Sequence, residues 1–282
     1  MKRTMKVWFI AATVLITVGL IMFACVMLLN DQDFETLAAT KYEANVYDIN
    51  EEFSKLSINT DTADIKFVLA DDGKCRIECF ERKTEKHSVS VSDDTLFIKM
   101  IDERSWYDYI GINFNSPKIT VYLPKSEYTD LVVDEDTGDI ELSQAFKFNN
   151  IDICLSTGDI KLSNVICDGD IKANVTTGKV YLSDIKCNNL FSNGSTGDIS
   201  LNNVIATEEF SIKRSTGDIE INLCDANEIF IETDTGDVEG TLLTEKVFIT
   251  KTDTGDIEVP KSVNGGRCEI ITDTGDISIR IK

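Results

Sequence analysis

Ile212-Lys213-Arg214-Ser215-Thr216-Gly217-Asp218-Ile219-Glu220-Ile221 decides the fold, because near-copies of it recur through the second half of the sequence. The glycines of the copies are Gly138, Gly158, Gly178, Gly197, Gly217, Gly236, Gly255 and Gly275, separated by 19 or 20 residues. Each follows a threonine, and each precedes an aspartate except where Lys179 stands. Self-similarity this regular marks one small unit stacked many times. It directs function toward a long ribbed surface and away from a single enclosed active site.

Around each glycine the side chains alternate with period two, the signature of strands with one apolar face. Two positions after glycine stand Ile140, Ile160, Val180, Ile199, Ile219, Val238, Ile257 and Ile277. Seven positions before it stand Leu131, Ile151, Ile171, Leu190, Phe210, Ile229, Phe248 and Cys268. Glycine supplies the tight corner, and the aspartate accepts hydrogen bonds from nearby backbone N–H groups. A further apolar pair such as Val165-Ile166 or Val204-Ile205 forms a third short side. The expectation is an all-β chain: a single-stranded β-solenoid (β-helix) of about 20-residue coils, eight of which would span about 40 Å at strand spacing. An antiparallel meander with Asp-Thr-Gly-Asp as a hairpin turn is the competing geometry. The solenoid is preferred because only one end of each unit carries a glycine signal, and identical residues would stack into ladders.

Upstream of the repeats, Val7 to Leu29 form an uncharged apolar run of 23 residues, enough to cross a bilayer of ~30 Å as one helix. Lys2, Arg3 and Lys6 precede it, and Asp31, Asp33 and Glu35 follow, which orients the N-terminus to the cytoplasm and the rest outside. A cleaved signal peptide or a lipoprotein site at Met22-Phe23-Ala24-Cys25 fits less well, since the apolar run continues through Val26 to Leu29. The organisation expected is a cytoplasmic tail at 1–6, a transmembrane helix at 7–29, a stalk or short helix at 30–52, irregular coils and a cap at 53–130, and regular repeats at 131–282. Within the irregular part, Asp61-Thr62-Ala63-Asp64-Ile65 reads as an early repeat with alanine in place of glycine. With no segment beyond Ile281-Lys282 to cover it, the last coil would be covered by charge or by a partner.

The portion after the apolar run carries 25 basic against 49 acidic residues, a net −24. Such a surface repels phosphate backbones, which argues against nucleic acid as a partner and leaves a cell-wall polymer or a membrane or envelope protein. Solubility and protection of sheet edges account for the same charge.

Seven cysteines lie beyond Cys25, an odd number. Cys224 and Cys268 replace core apolar residues of other repeats. Cys167 and Cys187 occupy equivalent places one repeat apart, within disulfide reach. Cys75 and Cys79 share one face of a strand but lie too far along it to bond. No zinc-type cysteine or histidine spacing appears, and free thiols are favoured over a disulfide framework.

Acidic residues flank Thr-Gly on both sides in three consecutive repeats: Asp234 and Asp237, Asp253 and Asp256, Asp273 and Asp276. Stacked carboxylates need N–H groups or cations such as Ca²⁺ to offset their repulsion. Turn capping is the preferred reading, since four other repeats pair the aspartate or lysine with Ser156, Thr176, Ser195 or Ser215. Trp106, Tyr107, Tyr109 and Phe114 could stack on sugar rings, or plug the first coils. His87, in the charged stretch Glu81–Lys86, reads as a solvated hairpin tip. Nucleophile-elbow, phosphate-loop and dinucleotide patterns are absent. No catalytic, metal or cofactor residue is therefore assigned; a polysaccharide-degrading β-helix is the enzymatic alternative to a binding module.

Ile119-Thr120-Val121-Tyr122-Leu123-Pro124, then Leu131-Val132-Val133 and the recurring Thr-Gly-Asp-Ile, resemble the bacterial putative-adhesin family of unknown function with β-strand repeats, which includes LiaG-like membrane-anchored envelope proteins. The similarity covers roughly residues 45 to 282. It implies a β-helical ectodomain on a single anchor, often linked to cell-envelope stress systems, and it carries no catalytic residues.

Overall fold

The structure, a computed structural model, describes residues 3–29, 42–102 and 116–282. Trp106, Tyr107, Tyr109 and Phe114 lie outside the described residues. One helix, α1 (Arg3–Leu29), has no acidic residue in its first turn and no basic residue in its last. It is long and apolar enough, over Trp8–Cys25, to cross a membrane. Residues 42–103 and 116–282 form a separate compact unit, which is almost entirely strand.

The repeats pair in parallel and in register. Asp130–Thr137 pairs with Asn150–Thr157 so that Leu131 faces Ile151 and Thr137 faces Thr157. The next repeat continues the ladder, Ile151 facing Ile171 and Thr157 facing Thr177. The strands after each glycine do the same, Ile140 to Ile160 and Ile160 to Val180. In-register parallel pairing places like residues in columns, and the inward columns bury Leu131, Ile151, Ile171, Leu190 and Phe210 in one file and Ile140, Ile160, Val180, Ile199 and Ile219 in the next. Cys224 and Cys268 are fully buried members of the same core.

At the Thr-Gly-Asp corner the ladder is kept intact by three bonds in most repeats. Gly138 N–H donates to Thr157 O (3.0 Å) and Ile140 N–H to Asp159 O (2.9 Å). Asp159 N–H donates to the Asp139 carboxylate (2.9 Å), a side-chain acceptor standing in where the backbone turns away. Glycine is needed here for close approach as well as for conformation. Gly178 has φ +144°, and a Cβ on it would lie 1.8 Å from the Gly158 carbonyl oxygen. Ala63 is tolerated in the first repeat because its φ is not positive; it still donates to Thr137 O at 3.1 Å.

A second corner lies six residues after glycine. Asn164, Asp184, Asn203 and Leu223 adopt left-handed φ values of 58°, 53°, 54° and 54°. Asn and Asp tolerate this region, but leucine does so at a cost of roughly 1 kcal/mol. Leu223→Asn is accordingly expected to stabilise the protein by about 1 kcal/mol in urea unfolding.

Among the described residues, antiparallel pairing is confined to the N-terminal strands. These are β1 (Tyr42–Ile49), β2 (Lys55–Thr62), β3 (Asp64–Leu69), β4 (Cys75–Arg82), β5 (Glu85–Ser92), β6 (Thr95–Asp102) and β7 (Lys118–Leu123). β2 and β3 form the Ala63 repeat and stack in parallel on the Gly138 repeat. β6 and β7 stack in parallel on their other side. β5 then pairs antiparallel with β6, and β4 with β7, and β1 closes against β4. Thus Tyr42–Ile49, within the stretch expected as a stalk or short helix, belongs to the sheet; residues 30–41 lie outside the described residues.

At the other end the stacking order departs from the order of the sequence. Glu228–Thr235 of the Gly236 repeat pairs with Gly266–Thr274, not with Lys246–Thr254. Lys246–Thr254 pairs on the far side of Gly266–Thr274, and Ile257–Glu258 on the far side of Ile277–Ile281. The Gly275 repeat is therefore inserted between the Gly236 and Gly255 repeats. Gly266 and Gly265 permit the insertion: a Cβ on Gly266 would lie 1.8 Å from Asn227 O, and one on Gly265 1.8 Å from Glu245 O. Among the described residues the outermost repeat is that of Gly255, and Ile257 is 44% exposed where Ile277 is fully buried.

Candidate functional site

The aspartate files act as backbone caps. Asp218 Oδ1 accepts Asp237 N–H (2.9 Å), Asp237 Oδ1 accepts Asp276 N–H (2.8 Å), and Asp276 Oδ1 accepts Asp256 N–H (2.8 Å). Where the sequence has Lys179, its backbone N–H still donates to Asp159 (2.8 Å), while its ammonium pairs with Asp198 at 2.8 Å. That ammonium holds the Asp198 carboxyl below its ordinary value. Asp234, Asp253 and Asp273 are exposed. In the stack they run Asp234, Asp273, Asp253, and Lys251 pairs with Asp253 at 2.9 Å.

The outer edge of the Gly255 repeat is a second feature. Among the described residues, Lys246–Thr254 has one neighbouring strand of the same face, Gly266–Thr274, and its other edge is open. Val247 and Ile249 are 37% and 47% exposed along it. Lys246, by contrast, is buried and reaches inward to Asp225 at 2.6 Å. An open edge of this kind is a template for another strand.

A cleft of about 500 Å³ lies at the cap end of the stack, lined by Asp48, Glu51, Phe53, Cys75, Lys125 and Tyr128 among others. Two of its lining residues, Phe53 and Tyr128, stack at 5.7 Å between centroids, and Tyr128 stacks in turn on Phe148 at 6.0 Å. Burial pushes the Tyr128 hydroxyl up to about 12 and the Cys75 thiol up to about 11.

Besides Lys246, Glu135 and Arg214 are charged side chains buried inside the repeats. Glu135 accepts the Ala63 N–H at 2.8 Å through one oxygen. Its other oxygen has no partner among the described residues. Burial pushes its pKa from 4.5 up to about 8. A carboxyl that binds its proton more tightly when folded gives stability that is complete below about pH 4.5 and is lost as pH rises through about 8. Glu135→Gln should therefore match the native protein near pH 5 and exceed it near pH 8, by a few kcal/mol at about 1.4 kcal/mol per pH unit. Urea unfolding at the two pH values reads this directly. Arg214 occupies the same file in the Gly217 repeat. It lies across Gly194, its Nη1 donating to Val175 O at 2.8 Å, and desolvation lowers it to about 10.

His87 corrects the sequence reading most sharply. It is 3% exposed, so it is not a solvated hairpin tip. The turn falls at Lys83-Thr84, and period-two alternation along β4 and β5 carries Cys79, Glu81, Glu85 and His87 inward. His87 Nδ1 lies 2.7 Å from Glu81 Oε2, and its Nε2 lies 2.9 Å from Thr60 Oγ1. Tyr47 donates its hydroxyl to His87 O at 2.8 Å. Burial, with the Glu81 carboxylate nearby, pushes the Cys79 thiol up to about 12. Cys79, Glu81 and His87 each place one ligand-type atom within 4.8 Å of the others, a group of three not found elsewhere among the described residues.

The cysteines are free. Cys167 and Cys187 are both buried, and burial pushes their thiols up to about 11 and about 12.

The Toastrack DUF4097 family pattern matches this sequence twice, over residues 53–169 and 166–282. The chain belongs to the Toastrack DUF4097 family. Two solved structures share its fold. One is a "putative adhesin" from Bacteroides fragilis, 17% identical, with a TM-score of 0.53, covering 86% of this chain and 97% of its own. The other is a "putative lipid binding protein" from Parabacteroides distasonis, 15% identical, with a TM-score of 0.52, covering 87% of this chain and 98% of its own. Among curated proteins, none matches. The two Toastrack matches meet near residue 166, inside the regular stack. The second match contains the inverted Gly275 and Gly255 repeats.

Proposed function

We propose that this Toastrack chain is a membrane-anchored, adhesin-like display module of the cell envelope, with α1 as a single-pass anchor and residues 42–282 outside the cell. The cations Lys2, Arg3 and Lys6 before the apolar run support that orientation. In this reading the repeats are a single-stranded β-solenoid of about 20-residue coils, akin to LiaG-like proteins, and the module is not an enzyme. The observation that carries it is the register. Parallel pairing without slippage at most repeats holds outward side chains in columns one strand spacing apart, a geometry suited to a repeating polymer. One such outward file is Glu141, Lys161, Tyr181, Ser200 and Glu220.

The test is retention of the detergent-solubilised chain on isolated cell-wall material. Saturable retention that weakens when Lys161 and Tyr181 are both replaced by alanine supports the polymer reading. An unretained chain overturns it. The open edge of Lys246–Thr254 favours a second reading, a regulatory ectodomain that takes up a strand from a membrane-bound envelope partner. Thr250→Pro, which removes a backbone donor from that strand, would abolish partner binding in this second case and leave wall retention unchanged in the first.

A further inference from the structure

The buried polar group in the cap is more than a satisfied network. Cys79 and Glu81 stand two residues apart on the inward face of β4, and His87 stands inward on β5 across the hairpin. All three are buried, at 1%, 0% and 3% exposure. The surrounding interior is otherwise apolar, with Ile77, Ile98 and Ile119 among its fully buried members. We propose that Cys79, Glu81 and His87 bind one zinc ion.

One sulfur, one ring nitrogen and one carboxylate oxygen form a donor set that suits zinc, and their sub-4.8 Å mutual spacing is that of ligands around one centre. The metal replaces the hydrogen now shared by His87 Nδ1 and Glu81 Oε2, which stand 2.7 Å apart. Zinc bonds of about 2.0–2.2 Å at tetrahedral angles separate two such donors by roughly 3.3 Å, so the pair opens by about half an ångström. The groups that orient the ligands are already in place. Thr60 Oγ1, 2.9 Å from His87 Nε2, would accept Nε2–H in the metal-bound tautomer, which leaves Nδ1 to the metal. Asn45 Nδ2, at 2.5 Å, holds the other oxygen of Glu81. Three protein ligands leave a fourth position for water. Among the described residues β5 is the outermost strand of its face, which gives the ion a short path to the site. Bound there, zinc would tie β4 to β5 and lock the cap onto the first repeat.

The test uses the full chain in detergent, stripped with chelator, dialysed against zinc or cobalt and freed of unbound metal. One zinc per chain by elemental analysis, and a thiolate-to-cobalt charge-transfer band in the near ultraviolet, are the expected results. Cys79→Ser should abolish the band, and Asn45→Ala should weaken metal affinity about 10- to 100-fold with all three ligands still present. Cys224→Ser, in the core of the repeats, should retain both metal and band. Absence of stoichiometric metal in the native chain, or a cobalt band that survives Cys79→Ser, overturns the proposal. His87→Gln should also lose the stoichiometric metal; should it fail to fold, the native cobalt spectrum and the Cys79→Ser spectrum still decide it.

Discussion

Replacing Gly178 by valine is expected to unfold the repeats around it. The residue holds φ +144°, a region closed to β-branched side chains, and its missing Cβ would overlap the Gly158 carbonyl oxygen at 1.8 Å. The conflict cannot be relieved locally, because the same residue donates its N–H to Thr196 O at 2.8 Å and is fixed from both sides. Strain at the backbone and loss of that bond together amount to at least about 3 kcal/mol. Far-UV circular dichroism in urea should show the midpoint falling steeply or the transition losing its cooperativity. Ala63→Gly, at the equivalent place in the first repeat, should cost no more than about 1 kcal/mol. A Gly178→Val protein within about 1 kcal/mol of the native one would show that the corners do not interlock as described.

Removing residues 266–282 is expected to disorder more than the residues removed. Lys246–Thr254 and Ile257–Glu258 take their ladder bonds from the segment that is lost. They would face the Gly236 repeat across a gap of two strand spacings, about 9.6 Å. Hydrogen exchange should show the amides of Lys246–Thr254 losing protection by about a hundredfold or more, with those of Glu209–Thr216 nearly unchanged. Retained protection at Lys246–Thr254 would mean that the repeats stack in the order of the sequence.

The parts legible in the sequence were those dictated by local chemistry. The glycine corner, the inward apolar files, the cysteines used as core residues and the alanine version at Ala63 all follow from period-two patterning and the steric needs of one position. The aspartates that follow glycine cap the N–H of the neighbouring repeat, whereas Asp234, Asp253 and Asp273 stand exposed. The inverted order of the last repeats was not legible, because every repeat presents the same Thr-Gly-Asp edge and any one fits on any other. The signal that could have exposed it is the pair Gly265-Gly266, which stands outside the repeat pattern. A corner before the third short side was implied, but the residues that make it, Asn164, Asp184 and Asn203, were not singled out, and Leu223 disguises the fourth instance. His87 was misjudged because its charged neighbours suggested solvent. The alternation running from Cys79 through Glu81 already placed it inside. Glu135 and Arg214 occupy a file that is apolar at Leu155 and Val175, and nothing in a single repeat distinguishes them from outward charges.

The displaced final repeat also sets how the molecule bears a load. In a stack built in sequence order, a pull on the last strand would strip it from an exposed face, one hydrogen bond at a time. Here a pull applied beyond Ile281 acts on strands clasped on both sides, by Val238–Leu242 and by Ile257–Glu258, so two ladders must slide before anything yields.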